Sequence, residues 1–253
     1  MIDLSMDVVV MLGFVALVAG FIDTLAGGGG LITIPALLLA GVPPLQALAT
    51  NKIQAVAGTF TSTSTLLRRR LLRWSQVRAL FVSALLGSAV GALCVQFIDA
   101  NSLDIIIPVV LGAIALYYLL APRAGDVDTV PRVGPAFYRF CVVPVIGFYD
   151  GMFGPGTGSF FSTAGVALRG QALVKATLNA KVMNFATNLA AVLVFVFSGH
   201  VVWLAGLSMM LGQACGAWLG THAVVLGGTR LIKPILVSVC LVMLGRYFWE
   251  QWA

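Results

Sequence analysis

Long hydrophobic stretches run through the chain from end to end, and short polar breaks separate them. The pattern gives ten stretches in two sets of five. The first set covers residues 7–25, 29–41, 45–67, 76–98 and 103–121, and the second covers 136–152, 156–169, 171–198, 202–225 and 231–249. Because a helix of about 20 apolar residues spans a bilayer, the pattern predicts an all-α polytopic membrane protein.

The second stretch of each set is unusually short. A ten-residue helix such as 31–40 rises about 15 Å, which is roughly half of the hydrocarbon core. Each short stretch follows or includes a glycine-rich break, "GGGG" at 27–30 and "GPGTGS" at 154–159. We therefore expect a short, broken helix in the second position of each set.

The two sets resemble each other in sequence. The segment "GFIDTLAGGGG" around Asp23 matches "GFYDGMFGPGTG" around Asp150, and Lys52 and Lys181 lie 129 residues apart. Because five crossings per set is an odd number, the second copy would be inverted relative to the first, as in many secondary transporters. The sequence thus predicts two inverted transmembrane repeats, at residues 1–121 and 136–253, joined by a cytoplasmic linker at 122–135.

Composition supports the membrane assignment. The chain is 60% hydrophobic and 9% charged, so no region is polar enough to form a soluble catalytic domain. The net charge of +6 does not indicate nucleic-acid binding, because the basic residues lie at the ends of hydrophobic stretches, where they set membrane orientation.

The charges also test whether the short stretches cross. With ten crossings, one side collects Arg68, Arg69, Arg70, Arg73, Arg123, Arg132, Arg139, Arg169, Lys175, Arg230 and Lys233. The other side collects Asp3, Asp7, Asp99, Asp104 and Glu250, with Arg246 as the exception. This positive-inside pattern predicts ten crossings with both termini outside, whereas re-entrant short stretches would turn the "LLRRRLLR" loop outward.

The glycine breaks are candidate binding elements. A glycine run lets the backbone unwind, and a helix that restarts there presents backbone N–H groups and the positive end of its dipole to an anion. The candidate substrate-binding residues of the breaks are Gly27, Gly28, Gly29, Gly30, Gly154, Gly156, Thr157, Gly158 and Ser159. The alternative is close helix packing, which we assign to Gly87, Gly91, Gly212, Gly216 and Gly220.

Four ionisable residues stand well inside hydrophobic stretches, namely Asp23, Lys52, Asp150 and Lys181. Each charge costs roughly 2.5–3.5 kcal/mol there unless it faces a cavity or a partner. The two lysines are expected to attract an anion in a polar pocket. Further candidate residues for this pocket are Thr50, Asn51, Gln54, Asn179 and Asn184.

The two aspartates have two interpretations. Asp23 or Asp150 is a candidate proton carrier for coupled transport, because burial favours the neutral carboxyl. Alternatively, each aspartate pairs with a lysine or caps a broken helix and never touches substrate. For Lys52 a further alternative is snorkelling, in which its ammonium reaches the outer surface.

The segment "GFIDTLAGGGGLITIPALLLAGVPPLQALATNK" resembles the TauE/SafE family of bacterial sulfite exporters and sulfonate permeases. The second half fits the same family through "GFYDGMFGPGTGSFF" and "ATLNAKVMNFATNLAA". The resemblance spans nearly the whole chain. It implies a transporter in the bacterial cytoplasmic membrane that moves sulfite, a sulfonate or another small sulfur-containing or organic anion, with no cofactor or metal.

The function predicted from the sequence is therefore secondary transport of a small anion by alternating access. A passive anion channel is the main alternative, since sequence does not separate it from a carrier. An intramembrane aspartyl-type enzyme would need Asp23 and Asp150 as a pair, and motifs for serine or zinc catalysis are absent, so we predict no enzyme. The lysines at depth argue against a cation permease, and a homo-oligomer is left open.

Overall fold

A computed structural model describes residues 4–120 and 128–225. This part of the chain is helical and contains no β-strand, which confirms the predicted all-α class. The helices are α1 (Met6–Ala26), α2 (Gly30–Leu39), α3 (Pro44–Arg68), α4 (Trp74–Cys94), α5 (Ala100–Leu120), α6 (Pro135–Phe137), α7 (Val143–Met152), α8 (Thr157–Arg169), α9 (Leu173–Phe197) and α10 (Trp203–Val225). A π-helical stretch at Tyr138–Val142 joins α6 to α7, and a 3-10 turn at Val95–Phe97 follows α4.

The first nine predicted stretches correspond to these helices, with α6, the π-helical stretch and α7 together forming the sixth. The tenth stretch, at 231–249, lies outside the described residues. So do the charged residues Asp3, Arg123, Arg230, Lys233, Arg246 and Glu250.

Three helical segments are long and apolar enough to cross a membrane, namely Met6–Leu25, Trp74–Phe97 and Leu173–Phe197. Their outward faces carry large apolar side chains: Phe14, Leu86 and Leu193 are 68%, 59% and 50% exposed. Hydrocarbon, unlike water, accepts such faces at no cost. The chain is a helical membrane protein.

A short helix occupies the second position in both halves, as predicted. The first, α2, has 10 residues, and its counterpart α8 has 13. Gly27, with φ of 75°, ends α1 before α2 begins. Gly154 and Gly156, with φ of 96° and 77°, separate α7 from α8. Glycine is favoured at these three positions because a side chain is strained at such positive φ values.

Contacts with α10 show the directions of α1 and α3. The contacting pairs, in order along the helices, are Gly13 with Ser208 and Gly20 with Gln213 for α1, and Thr50 with Val202 and Gly58 with Gln213 for α3. Both α1 and α3 therefore run parallel to α10. Between them, α2 reverses the chain, because Leu37 near its end packs in one cluster with Leu12 near the start of α1.

The corresponding helices of the second half run the other way. Thr63 of α3 donates a hydrogen bond to the carbonyl of Lys181 on α9, and the Phe60 and Phe185 rings lie 5.5 Å apart, which is an antiparallel arrangement. Helices α4 and α7 run with α9. The contacting pairs are Phe81 with Phe185 and Ser88 with Thr187 for α4 and α9, and Gly87 with Pro144 and Gly91 with Phe148 for α4 and α7.

Small residues let these parallel pairs approach closely. A Cβ added at Gly87 or Gly91 would overlap the α7 backbone, and one added at Gly212 or Gly216 would overlap the backbone of α1. Gly220 is similarly close to Phe21 of α1. The packing interpretation of these five glycines is confirmed.

Residues 128–135 of the predicted linker lie in the described part of the chain, and Asp128 contacts the turn between α8 and α9. The carboxylate of Asp128 accepts a hydrogen bond from the backbone N–H of Ala172 at 2.6 Å and lies 3.2 Å from Lys175 Nζ. These two donors, the backbone N–H first, lower the pKa of Asp128. The division of the chain into two repeats and a linker at 122–135 stays a prediction.

Candidate functional site

The two glycine breaks meet inside the protein. A Cβ added at Gly27 would lie 2.7 Å from Gly158 Cα, and one added at Gly158 would lie 2.7 Å from Gly27 Cα. Real Cβ atoms do not approach other atoms so closely, so the two backbones touch because neither residue has a side chain. The glycines of the breaks therefore serve a contact between the start of α8 and the end of α1, as well as the turns themselves.

A small polar cavity lies where the breaks meet. Its volume is about 20 Å³, which is room for about one water molecule. Five helices (α1, α3, α7, α9 and α10) and both breaks supply its walls. The lining residues are Asp23, Gly27, Gly30, Asn51, Lys52, Gln54, Ala55, Asp150, Gly154, Asn184, Asn188 and Gln213.

A buried ion pair forms one wall of the cavity. Lys52 Nζ on α3 donates to Asp150 Oδ1 on α7 at 2.8 Å, and each side chain is 1% exposed. Gly154 lies against the ammonium, since a Cβ there would be 3.0 Å from Lys52 Nζ. The ion pair thus joins the first half of the chain to the second across the cavity. The snorkelling alternative for Lys52 is wrong, because the ammonium turns inward to this partner.

Asp150 also contacts the start of α8. Thr157 Oγ1, in the first residue of α8, donates to Asp150 Oδ1 at 2.8 Å. The other carboxylate oxygen, Oδ2, is buried and has no hydrogen-bond partner among the described residues. One oxygen of Asp150 is thus fully engaged, while the other is available to a proton or to a donor that enters the cavity.

Asp23, near the end of α1, is related to the start of α2 as Asp150 is to the start of α8. Its Oδ1 accepts a hydrogen bond from the backbone N–H of Gly29 at 3.0 Å. Its backbone carbonyl accepts a hydrogen bond from Lys181 Nζ of α9. Each lysine therefore reaches the aspartate of the other half, but Lys52 binds a carboxylate and Lys181 binds a main-chain carbonyl. This difference makes the two half-sites chemically unequal.

Side-chain amides supply the rest of the polar lining. Asn51 Oδ1 accepts hydrogen bonds from Thr33 Oγ1 at 2.6 Å and from Gln54 Nε2 at 2.8 Å. The oxygens Gln54 Oε1 and Gln213 Oε1 are buried without a partner among the described residues. An amide presents either its oxygen or its NH₂ group after a half-turn, so Gln213 can act as an acceptor or a donor.

The structure brings together seven of the sixteen predicted substrate-binding residues around the cavity. Of these, Gly27, Gly30, Asn51, Lys52, Gln54, Gly154 and Asn184 line the cavity, together with Asp23 and Asp150. A second group of predicted residues contacts the lining residues without lining the cavity itself: Gly29, Thr157, Gly158 and Lys181. Gly28, Gly156 and Ser159 belong to the breaks but do not line the cavity.

Two predicted residues lie elsewhere. Thr50 Oγ1 accepts a hydrogen bond from the backbone N–H of Val202 near the start of α10, at 3.0 Å. Asn179 Nδ2 donates to Gln171 Oε1 at the turn between α8 and α9, at 3.2 Å. Each is bound to a neighbouring segment and does not line the cavity.

Three lining residues were not predicted, namely Ala55, Asn188 and Gln213. Asn188 follows Asn184 by four residues, so the two amides share a helix face, and Asn188 Nδ2 donates to Asn184 Oδ1 at 3.1 Å. The sequence signals were present: a second asparagine at helical spacing, and a lone glutamine in the apolar stretch of α10. Ala55 gives no signal, because alanine is ordinary in any helix.

The chain matches a family model described as sulfite exporter TauE/SafE over residues 12–247. It is 44% identical over 96% of its length to a probable membrane transporter protein of Sinorhizobium, covering 94% of that protein. It is 43% identical to a probable membrane transporter protein of Haemophilus influenzae, with 98% of each chain covered. The probable membrane transporter protein YfcA of Escherichia coli K12 is 42% identical, with 95% and 90% covered. No solved structure matches the chain.

Proposed function

We propose that the chain, which belongs to the sulfite exporter TauE/SafE family of membrane transporters, carries a small anion by alternating access. Sulfite or an organosulfonate is the first candidate for that anion. The proposal includes a location in the bacterial cytoplasmic membrane with both termini outside. The substrate site is the cavity between the two glycine breaks.

The observation that carries this proposal is the Lys52–Asp150 ion pair. An ammonium beside a cavity, away from bulk water, attracts an anion strongly. Here that position is already taken by the protein's own carboxylate, 2.8 Å from Lys52 Nζ. An incoming oxyanion would compete with Asp150 for Lys52. Substrate binding would then loosen a contact between the two halves, which is the kind of change that alternating access requires.

The size of the cavity favours a carrier over a channel. A volume of about 20 Å³ admits about one water molecule, whereas sulfite has four heavy atoms. The halves must therefore move apart before the anion enters. A passive channel would need a continuous pore, and the touching backbones of Gly27 and Gly158 lie in its way.

Helix directions support the inverted-repeat part of the proposal. The first and third helices of the first half, α1 and α3, run against their counterparts α7 and α9. The lysine-to-aspartate contacts also cross between halves in both directions. An inverted repeat predicts both features and places the site at the interface of its halves.

Proton coupling through Asp150 completes the proposal. A proton on the unpartnered Oδ2 would neutralise Asp150 and release Lys52 to the anion. Anion and proton would then bind together and move in the same direction. Asp23, whose Oδ1 accepts the backbone N–H of Gly29, is the alternative proton carrier.

Asp150→Asn tests this coupling. The amide keeps the shape of the side chain but removes the competing charge next to Lys52, so the anion should bind more tightly. Thermal melting of the purified protein with and without sulfite would measure this, since a bound ligand raises the melting temperature. In proteoliposomes, an inward proton gradient should accelerate anion uptake by the wild type but not by Asp150→Asn. If Asp150 is only a structural partner, Asp150→Asn should lower the melting temperature without enlarging the shift.

Flux in proteoliposomes tests the function itself. Purified protein should exchange labelled sulfite or a short sulfonate with saturation, and an inward proton gradient should accelerate uptake. A current that follows voltage without saturation would instead identify a channel. Failure to move any sulfur oxyanion, sulfonate or short carboxylate would refute the proposal.

A further inference from the structure

A second, larger groove lies on the lipid-facing surface between α4 and the helical segment that leads into α7. Its volume is about 550 Å³, within the range of about 300–1,000 Å³ that small-molecule sites occupy. Arg78, Val82 and Leu86 line it from α4. Arg139, Phe140 and Pro144 line the opposite wall. None of these residues lines the cavity between the glycine breaks.

The α4 wall changes from charged to apolar along one helix face. Arg78, Val82 and Leu86 follow one another at intervals of four residues, so they lie one above the other. Trp74, half exposed at the start of α4, marks the end where Trp and Arg side chains meet the membrane surface. Val82 and Leu86, 52% and 59% exposed, lie one and two turns deeper, roughly 6 and 12 Å from Arg78 along the axis.

The opposite wall also changes from charged to apolar residues along the chain. Arg139 and Phe140 belong to the π-helical stretch before α7, and Pro144 follows one turn later. Because α4 and α7 run parallel, both arginines lie at the same end of the groove. The Arg139 guanidinium carbon sits 4.3 Å from the centre of the Phe140 ring, and Phe140 itself is 64% exposed. A π-helical turn of this kind frequently occurs at a functional site.

The two arginines lack an anionic partner in the part of the chain that the structure describes. Its ion pairs join Lys52 to Asp150 and Lys175 to Asp128, and neither includes Arg78 or Arg139. In addition, Arg139 Nε is buried and has no hydrogen-bond acceptor among the described residues. Two guanidinium groups at the water end of an apolar groove thus have unused capacity to bind an anion.

We propose that this groove binds an anionic phospholipid. Its phosphodiester would accept hydrogen bonds from Arg78 and Arg139, since guanidinium groups suit phosphate oxygens. One acyl chain would lie along Val82, Leu86, Phe140 and Pro144. Both the charge at the head of the groove and the apolar walls below it match this one class of molecule. Phosphatidylglycerol is its simplest member, and phosphatidylcholine differs by an added positive charge that opposes the arginines.

Thermal melting of the full chain in detergent, with added lipid, tests the proposal. Phosphatidylglycerol should raise the melting temperature about 3–6 °C more than phosphatidylcholine with the same acyl chains. Arg78→Gln/Arg139→Gln should lose that difference. Arg139→Lys should retain part of it, because the charge remains. Inorganic phosphate at the same concentration should give no comparable shift, since it cannot use the apolar walls.

Arg73→Gln is the matched control, because Arg73 is an exposed arginine near the same end of α4 but outside the groove. It should keep the full preference for phosphatidylglycerol. Equal stabilisation by both lipids in the wild type would overturn the proposal. So would a loss in Arg73→Gln that is as large per removed charge as the loss in the double variant, since it would indicate attraction by net charge alone. Efficient cross-linking of Val82→Cys between two copies in lipid would also overturn it, because a second chain would then fill the groove.

Discussion

Lys52→Met/Asp150→Asn is expected to bind the transported anion roughly 100- to 1,000-fold more weakly than Asp150→Asn, which lacks the competing carboxylate but keeps the Lys52 ammonium. A unit charge about 4 Å from an anion contributes on the order of 4 kcal/mol near a protein surface, and each 1.4 kcal/mol is a factor of ten in affinity. Removing both charges leaves polar and apolar groups of similar volume, so the protein should remain folded. Equilibrium binding of labelled sulfite and flux in proteoliposomes measure the effect.

Lys52→Met alone is a poorer test of the anion site than the double variant. It would leave the Asp150 carboxylate buried and unpaired, which costs about 3–5 kcal/mol of stability. Loss of transport would then be confounded with loss of fold. The double variant avoids this problem because it removes the pair as a unit.

The exposed Lys175–Asp128 pair provides a matched control. Its charges lie 3.2 Å apart, but the side chains are 57% and 56% exposed. Water screens such pairs, which are worth about 0–1 kcal/mol. Lys175→Met/Asp128→Asn should therefore leave anion affinity and melting temperature nearly unchanged. Equal losses in both double variants would show that Lys52 acts through folding or net charge, and the anion site would have to lie elsewhere.

Gly158→Ala should abolish most transport by a single added methyl group. The new Cβ would lie 2.7 Å from Gly27 Cα, so the two breaks must separate. Overpacking of this kind costs about 1–3 kcal/mol. Because Gly158 lies in the first turn of α8 with a φ outside the left-handed region, alanine creates no backbone strain there. We expect the rate of exchange to fall at least about tenfold, because separating the two breaks displaces the groups that line the site.

Gly112→Ala is the control for this substitution. Gly112 is also helical, in α5, and a Cβ added there meets no atom within 4 Å. Alanine should stabilise that helix by about 0.5–1 kcal/mol and leave exchange unchanged. If Gly158→Ala exchanges sulfite as fast as Gly112→Ala, the contact between the breaks has no part in transport.

Local pattern was sufficient to predict the helices of the described residues. Hydrophobic length and glycine runs have direct local causes, so α1 to α10 appear where the stretches were drawn, including both short helices. The polar residues at depth were also identified, because a charge in hydrocarbon is costly whatever its partner is.

Helical phase explains why some predicted site residues lie outside the cavity. Asn51 and Gln54 are three residues apart and share the face of α3 that meets the cavity. Thr50 is rotated by about 100° from Asn51 and therefore faces α10. A polar cluster in sequence surrounds the helix, and only the neighbouring helices decide which face becomes the site.

The sequence did not show which atom each buried lysine binds, because that too depends on the neighbouring helices. Lys52 and Asp150 are separated by 98 residues, and the sequences around Asp23 and Asp150 are similar. In the structure, Lys52 binds a carboxylate of the other half, whereas Lys181 binds a main-chain carbonyl.

Thiol labelling of Ala55→Cys tests the central claim most directly, after the native cysteines are replaced. Ala55 lines the cavity, and cysteine adds only one heavy atom there. A membrane-impermeant thiol reagent should modify this position from each side of the membrane in turn. A short alkylsulfonate, which unlike sulfite does not react with the reagent, should slow the labelling at least severalfold if it is the transported anion. Labelling from one side only, at a rate that no anion changes, would contradict a shared, alternately opened anion site between the two breaks.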